Sequence, residues 1–569
     1  MPRETIRARL GTILAEMGVE AAEIHLERPR DPEHGEWASN VAMTLASTLR
    51  RSPRQIAEEI AGAFPVGGDT GVAAVEVAGP GFLNFRLSTG AVTDTVAEIL
   101  SRDGDYGRHD AEGSDPVMVE FVSANPTGLL HLGHGRQAAL GDALASLLEW
   151  TGNRVSREFY YNDAGRQIER LALSVEARYH QHFGRERALP DDGYRGSIVV
   201  EIAREFAEAE GDRWLEDPDG AGLDLMREFA VTRLRAEQDL DLNTFGVHFD
   251  RYFLESSLYT EGRVESTVEG LRETGLVYER DGAVWLTTTR FGDQKDRVMI
   301  KSDGSPTYFL PDVAYHMTKW ERGFRRAINV QGSDHHGTVD RVRAGLRALG
   351  LPEGYPEYVL HQMVTVERGG IEVKFSKRDG DYVTLRDLVH EVGRDVTRYF
   401  FLMRKPEAHL VFDLDWAADE SDKNPVYKAK YAHARVCSIL RRAGDPELDP
   451  DGAKLEILSS EIERELIQQL GSFPELVERA AAHRAPHLVC DWLEQTAGQV
   501  NAWYHHGNPV RNPEGAVLVD DPDLRAARLA LTGAIRVVLR NALTLLGLEA
   551  PERMERADTP HPNDPPEES

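Results

Sequence analysis

The sequence predicts a multidomain α/β protein: a central domain with a parallel β-sheet, a small α+β domain before it and an all-α helical bundle after it. Two observations predict the sheet. An apolar strand-like run at 117–122 precedes an amphipathic helix at 133–150, and a second strand-like run follows at 155–160. A strand, helix and strand in succession form a β-α-β unit with parallel strands, so the central domain is predicted to be Rossmann-type. The bundle is predicted because the pattern from about 420 to 548 is helical throughout.

The first domain limit follows from the pattern of the N-terminal residues. The length of 569 residues suits about three or four domains. Residues 1–110 are predicted as the α+β domain, because 37–49 looks helical and 72–87 has the pattern of two short strands around the turn Gly79-Pro80-Gly81.

The central domain is predicted to occupy 111–415 and to contain an insertion. A charged, mostly helical stretch at about 164–290 separates the first strands from later strand-like runs at 327–332 and 358–364. We therefore expect the sheet to resume after the insertion. The helical bundle is predicted at 416–554, and the tail 555–569, which has four prolines and almost no apolar residues, is predicted to be disordered.

Composition limits the function classes. No stretch approaches the roughly 18 uninterrupted apolar residues of a membrane helix. The only two cysteines, Cys437 and Cys490, lie far apart, which argues against a disulfide scaffold or a cysteine zinc site and makes a cytoplasmic location the expectation. The net charge of −29 argues against a nucleic-acid partner unless positive charge is concentrated on one face.

The first motif, His131-Leu132-Gly133-His134, lies at the start of the predicted helix. A helix N-terminus offers unpaired N–H groups and a partial positive charge, which favour anions. Gly133 allows a nucleotide to approach the backbone closely, and two imidazoles there can donate hydrogen bonds to phosphate oxygens in a transition state. Taken alone, the tetrapeptide also fits simple helix capping or a metal pair.

Two further motifs follow strand-like runs. Lys374-Phe375-Ser376-Lys377-Arg378 is a basic loop that can neutralise a leaving pyrophosphate, although such runs are more often solvated turns. Gly332-Ser333-Asp334-His335-His336 ends a strand, where open α/β sheets bind ligands, and Asp334 is a candidate for the ribose hydroxyls. Together the motifs predict an ATP-using enzyme that activates a carboxylate. The predicted ATP-binding residues are His131, Gly133, His134, Gly332, Asp334, His335, Lys374, Ser376, Lys377 and Arg378.

These motifs carry a family resemblance. The tetrapeptide at 131–134 and the loop at 374–378 resemble the HIGH and KMSKS motifs of class I aminoacyl-tRNA synthetases. The stretches 120–134 and 161–167 resemble the bacterial-type arginyl-tRNA synthetases in particular. The resemblance extends to 79–85, which is similar to the family's tRNA-elbow domain, and to 424–435, which is similar to its anticodon-binding domain. The HIGH region by this resemblance comprises Ala124, Asn125, Pro126, Thr127, Gly128, Leu129, Leu130, His131, Leu132, Gly133 and His134.

The resemblance implies an arginine–tRNA ligase. It implies that L-arginine and ATP with Mg²⁺ form arginyl-adenylate and that tRNA(Arg) then accepts the arginyl group on the 2′-hydroxyl of its terminal adenosine. We expect no zinc, because two distant cysteines do not supply a site, and we expect a monomer. His131, His134 and Lys377 are the implied catalytic residues. The implied arginine-binding residues are Glu120, Ser123, Asn125, Tyr308 and Asp312.

The chemistry of arginine agrees with those positions. A guanidinium needs carboxylates that face its planar fork. Glu120 ends an apolar run, where an acid is expected to be buried and paired, although a solvent-exposed acid at a strand edge is the alternative. Tyr308 and Asp312 stand at i and i+4. By resemblance, Glu120, Tyr308 and Asp312 hold the guanidinium and Asn125 binds the α-amino group.

Two other function classes remain open at this point. One is another class I ligase, such as a cysteinyl enzyme, but these use zinc held by cysteines, which two distant cysteines do not supply. The other is a non-catalytic tRNA-binding paralogue, and the intact motif set argues against it.

Overall fold

The computed structural model describes residues 2–19, 23–29, 31–110, 115–163, 165–373, 383–444, 448, 452–508 and 510–554. The N-terminal part contains α1 (Pro2–Glu16), β1 (Trp37–Ser39), α2 (Val41–Leu49), α3 (Pro53–Ala63), β2 (Val72–Ala78), β3 (Phe82–Leu87) and α4 (Thr89–Arg102). Its antiparallel sheet has the order β1-β3-β2. The two predicted strands around Gly79–Gly81 are confirmed.

The prediction of one helix over 37–49 is wrong at its start. Trp37 to Ser39 form strand β1, which pairs with β3 in the register Trp37↔Phe85, and only 41–49 is helical. All three β1 residues are buried. Trp37 packs into the apolar core that β3 also enters, so pairing with the sheet prevails over the local helical pattern.

The central part contains, in chain order, β4 (Val117–Glu120), α5 (Leu132–Trp150), β5 (Val155–Tyr161), α6 (Arg166–His182), α7 (Ser197–Glu210), α8 (Ala221–Thr244), β6 (Arg251–Leu254), α9 (Glu255–Thr260), α10 (Arg263–Glu273), β7 (Val277–Arg280), β8 (Ala283–Leu286), β9 (Arg297–Ile300), α11 (Phe309–Glu321), β10 (Arg326–Gly332), α12 (His336–Ala348), β11 (Glu357–His361), β12 (Val364–Arg368), β13 (Ile371–Glu372), α13 (Leu385–Val392), α14 (Arg394–Leu402), β14 (Leu410–Asp413) and α15 (Leu414–Ala417).

A five-stranded, all-parallel sheet organises this domain, in the order β11-β10-β4-β5-β6. The predicted β-α-β unit is β4-α5-β5, and the predicted later strands are β10 and β11, so the Rossmann-type fold class is confirmed. The chain proceeds outward from β4 through β5 to β6 on one side and from β10 to β11 on the other. The strand order therefore switches between β4 and β10, where their carboxyl ends open a crevice for ligands.

The range 164–290, predicted as one insertion, has two parts in the structure. Helices α6, α7 and α8 bury their apolar faces against one another in a separate core. Strand β6 then returns to the main sheet and pairs with β5, and Phe253 in β6 is buried. Strands β7, β8 and β9 form another small antiparallel sheet.

The C-terminal part is helical, as predicted, and contains α16 (Pro425–Arg442), α17 (Glu461–Gly471), α18 (Phe473–Ala482), α19 (His487–His506) and α20 (Pro522–Leu545). Asn424 caps α16, because its side chain accepts from the main-chain N–H of Val426 at 3.0 Å and Pro425 occupies the first turn. The predicted disordered tail 555–569 lies outside the described residues. Within those residues, no helix combines the length and apolar character needed to span a bilayer.

One buried arginine joins the bundle to the central domain. Arg398 of α14 is 0% exposed. Its Nε donates to the main-chain oxygen of Leu546 at 2.6 Å, just after α20, and its Nη2 pairs with Asp142 of α5. Asp142 also accepts from Arg157 Nε at 3.1 Å. The helix that begins with the histidine motif is thus tied to the end of the bundle.

Candidate active site

Two stacked histidines form the N-terminus of α5. His131 is the N-cap residue, and the main-chain N–H of His134 donates to His131 Nδ1 at 3.3 Å. The N–H of His131 donates in return to His134 Nδ1 at 3.4 Å. The rings lie 3.7 Å apart at 15°. The interpretation of this tetrapeptide as a helix cap is therefore confirmed, and it is compatible with a second role in binding phosphate. Since both Nδ1 atoms accept, the ring protons are placed on the Nε2 atoms.

Both imidazoles are neutral at physiological pH. Burial lowers the pKa of His131, and burial with the neighbouring His131 and His361 lowers the pKa of His134 to about 3. The pair can therefore donate hydrogen bonds without gaining or losing a proton. Gly133 fits closely beside this pair, because a Cβ there would lie 2.8 Å from His131 Cε1.

The basic loop predicted to contact phosphates, with Lys374, Ser376, Lys377 and Arg378, lies outside the described residues. The chain that resumes after it is attached to the histidine motif. Thr384 forms a bridge with His131, and the N–H of Leu385 donates to Leu130 O at 2.8 Å. Thr384 also caps α13. The described chain at Thr384 and Leu385 is thus anchored at the start of α5.

The motif Gly332–His336, here called the nucleotide loop, follows β10 at the crevice. Gly332 lies close to the Asp334 side chain, because a Cβ there would lie 2.4 Å from Asp334 Oδ1 unless that exposed side chain moved. The side chains of Asp334 and His335 are 74% and 55% exposed and lie 3.6 Å apart. Ser333 Oγ donates to Gln362 Oε1 at 3.2 Å. Asp334 and His335 are therefore presented toward solvent at the end of the strand next to β4.

Glu120 ends β4 and is buried, so the alternative of a solvent-exposed acid is wrong. Its Oε2 accepts from Lys319 Nζ at 2.5 Å, and its Oε1 accepts from Ser123 Oγ at 3.0 Å. Lys319 is 0% exposed and also donates to Asn329 Oδ1 at 3.0 Å. The charge of Glu120 is thus balanced inside the protein by Lys319, a partner that the sequence did not identify.

Asp312 differs from Glu120 because its carboxylate accepts no hydrogen bond from the part of the chain that the structure describes. It lies in the first turn of α11. Burial, followed by the effects of Glu255 and Glu120, raises its pKa to about 7, against the opposing effect of Arg341. Such an acid is stabilised by an incoming cation. Tyr308, one turn earlier, is 67% exposed.

Glu255 is a second acid near Asp312, and sequence reasoning missed it. It begins α9 directly after β6, is buried, and accepts from the Tyr160 hydroxyl at 2.8 Å. Burial and the neighbouring Asp163 raise its pKa, although the Tyr160 hydrogen bond opposes this. Its position at the carboxyl end of a strand could have identified Glu255 from the sequence, but the sequence analysis did not predict strand β6.

The loop between β4 and α5 carries the rest of the predicted HIGH region. Val122 and Ser123 adopt positive φ values of 66° and 43°, which are strained for residues with a side chain and are typical of functional sites. Gln238 of α8 supports the loop, since its Nε2 donates to Asn125 O at 3.0 Å and to Gly128 O at 2.9 Å. The helical insertion therefore shapes the loop in which Asn125 lies.

Three family descriptions match the sequence and together cover most of it. They are "Arginyl tRNA synthetase N terminal domain" over residues 3–87, "tRNA synthetases class I (R), catalytic domain" over 95–405 and "DALR anticodon binding domain" over 429–554. The solved structure of Thermus thermophilus arginyl-tRNA synthetase has a TM-score of 0.75 at 24% identity, covering 97% of this chain and 100% of that one, which shows a shared fold.

Relatives found by sequence have a higher identity to this chain than that solved structure has. An arginine–tRNA ligase from Bordetella petrii is 51% identical over 567 residues, covering 96% of this chain and 98% of that protein. Another from Geobacter metallireducens is 51% identical over 544 residues, covering 93% and 95%. Because the crevice geometry, the matched domains and this full-length identity agree, the chain belongs to the class I arginyl-tRNA synthetase family.

Proposed function

We propose that this protein is an arginine–tRNA ligase that forms arginyl-adenylate from L-arginine and ATP–Mg²⁺ and transfers the arginyl group to tRNA(Arg). The observation that carries the amino-acid specificity is the contrast between two acids. The charge of Glu120 is balanced by Lys319, whereas Asp312 has a raised pKa and its carboxylate has no hydrogen-bond donor among the described residues. A cationic side chain fits the second environment.

In the first step, the arginine carboxylate attacks the α-phosphorus of ATP and pyrophosphate leaves. Catalysis rests on positioning and on charge stabilisation. His131 and His134 offer Nε2–H donors to the phosphate oxygens, and because both are neutral they need no proton transfer. In this proposal Lys374, Ser376, Lys377 and Arg378 contact the phosphates, and Lys377 neutralises the leaving pyrophosphate. Gly332, Asp334 and His335 receive the nucleoside.

In the second step, the 2′-hydroxyl of the terminal adenosine attacks the arginyl carbonyl carbon. AMP leaves with the bonding electron pair, and the hydroxyl proton passes to the departing phosphate or to water. No side-chain base is needed, because the adenylate is already activated.

Specificity follows from paired charges. We propose that Asp312 and Tyr308 bind the guanidinium and that Asn125 binds the α-amino group. Glu120, which the resemblance also assigns to the guanidinium, already accepts from Lys319 and Ser123, so in this proposal Glu120 and Ser123 line the site behind the guanidinium. Asn125 Nδ2 donates to Gln167 Oε1 at 2.6 Å, which orients the amide. An uncharged amino acid would leave Asp312 without a counter-charge, and sites of this kind discriminate by about 10⁴-fold or more without editing.

The flanking domains supply the tRNA contacts in this proposal. The N-terminal domain binds the tRNA elbow and the helical bundle binds the anticodon, and the protein acts in the cytoplasm as a monomer. Light scattering of the purified protein measures its oligomeric state directly.

Arginine-dependent exchange of pyrophosphate into ATP tests the proposal, with and without tRNA(Arg). We expect exchange with arginine and none with cysteine or lysine, and we expect arginylated tRNA in the full reaction. Failure of arginine to support exchange even with tRNA present would contradict the proposal. Binding of tRNA without either reaction would instead identify a non-catalytic paralogue.

A further inference from the structure

Arg136 is a fully buried cation in α5, two residues after His134. Its Nη1 donates to Gln362 O at 2.7 Å and to Ala408 O at 3.1 Å, and its Nη2 donates to Lys405 O at 3.0 Å. The guanidinium is therefore held by three main-chain carbonyls from two separate loops.

The positive charge of Arg136 has no carboxylate partner in the described part of the chain. Glu407 influences it from a distance and is itself exposed. Burial lowers the pKa of Arg136 to about 10, so the group stays charged at neutral pH. A buried charge without an ionic partner is strongly destabilising. The three carbonyls compensate for its burial, and because no described carboxylate cancels the charge, it adds to the positive potential at the start of α5.

The Gln362 carbonyl connects Arg136 to the nucleotide loop. Gln362 lies between β11 and β12, and its side-chain oxygen accepts from Ser333 Oγ at 3.2 Å. Its main-chain N–H donates to Pro406 O at 2.9 Å. One guanidinium thus joins the helix that begins with the two histidines to the segment that holds the nucleotide loop.

We propose that Arg136 is a positioning residue for ATP, a role that rests on the proposed ligase function. It fixes Gln362, and through it Ser333, at a set distance from the start of α5. Its charge adds to the positive end of that helix and favours the triphosphate. Arginine binds against Asp312 on α11, which Arg136 does not contact, so the role concerns ATP and not the amino acid.

Steady-state pyrophosphate exchange of the full-length protein, with tRNA(Arg) present, tests this role in two variants. Arg136→Gln removes both the charge and the three-point contact. We expect its ATP KM to rise about tenfold to a hundredfold, as for the loss of charge-assisted hydrogen bonds, while the arginine KM stays within twofold. Arg136→Lys keeps the charge, and we expect its ATP KM to lie between that of Arg136→Gln and that of the unchanged protein.

Arg157→Gln is the matched control, because Arg157 pairs with Asp142 and Glu149 on the same helix but at its other half. We expect its ATP KM to stay within twofold of the unchanged protein. An equal ATP defect in this control would show that loosening α5 suffices, and would overturn the specific role of Arg136. An unchanged ATP KM in Arg136→Gln, or an equal rise in the arginine KM, would also overturn it.

Ser333→Ala keeps the inference testable if Arg136→Gln does not fold. It removes only the hydroxyl at the far end of the link, and we expect a several-fold rise in the ATP KM with an unchanged arginine KM. An unchanged ATP KM would count against the link. If the unchanged protein itself lacks arginine-dependent exchange, the proposed function fails, which is a different result.

Discussion

Replacing Asp312 by Asn tests the assignment of the guanidinium acceptor. The change keeps the shape of the side chain and removes its charge. A guanidinium–carboxylate contact in a partly buried site is worth about 3 kcal/mol, so we expect the arginine KM to rise roughly a hundredfold and the ATP KM to change by less than threefold. Pyrophosphate exchange at varied arginine and at varied ATP measures both constants.

The pH dependence sharpens this test. The pKa of Asp312 is raised to about 7 in the free protein, and arginine requires the ionised acid. Below pH 7 the acid is protonated, so the arginine KM of the unchanged protein is expected to rise about tenfold between pH 8 and pH 6. Asp312→Asn should lose this dependence because it has no proton to release.

The free energy of unfolding tests the environment of Asp312 independently of the kinetics. The folded-state pKa of Asp312 lies above the ordinary value of 3.8, so ionisation disfavours the folded state and the cost is complete above pH 7. At pH 8, Asp312→Asn is therefore expected to increase the free energy of unfolding by up to about 4 kcal/mol. Lower stability together with equal rises in both KM values would refute the reasoning. Glu321→Gln, an exposed acid at the other end of α11, is the matched control and should leave both KM values unchanged.

Three further outcomes are expected from other contacts of the site. Lys319→Met leaves Glu120 buried without its cation and should lower the free energy of unfolding by about 3–5 kcal/mol, measured by urea denaturation at pH 7.5; a loss below 1 kcal/mol would contradict the buried pair. Gln238→Leu removes two donors to the loop of Asn125 and should raise the arginine KM several-fold, whereas an unchanged KM would separate the insertion from the site. His134→Ala should lower the kcat of pyrophosphate exchange by about 10²–10³-fold. Because the pKa of His134 is about 3, the kcat of the unchanged protein should show no titration of this residue between pH 5 and 9.

The parts of the fold that the sequence predicts are those set by local pattern. The β4-α5-β5 unit is visible because apolar strands and an amphipathic helix succeed one another within 117–161. Strand β6 was missed because Arg251 and Tyr252 are exposed and only Phe253 is buried, so its four residues form no apolar run like that of β4, and only pairing with β5 makes them a strand. The start of 37–49 was wrong for the same reason, since pairing of Trp37 with Phe85 decides its conformation.

The candidate site divides in the same way. The histidines, Asp334 after β10 and Glu120 at the end of β4 are recognisable as residue types at meaningful positions, whereas Glu255 after β6 is not. Their electrostatic partners are not, because Lys319 meets Glu120 from 199 positions away along the chain. Nothing local distinguishes an acid that is neutralised inside the protein from one that faces an incoming cation. That distinction, between Glu120 and Asp312, required the packed structure.

The attachment of Arg398 to Leu546 has a consequence for how this protein can be divided. Residues just after α20 also contact α14, since the N–H of Glu549 donates to Asp395 Oδ2 at 3.1 Å. Cutting the chain before Leu546 would remove the acceptor of a buried guanidinium that also pairs with Asp142. We therefore expect a cut before Leu546 to destabilise the central domain as well as the bundle, and a reporter or affinity tag is best fused after these contacts, beyond residue 554.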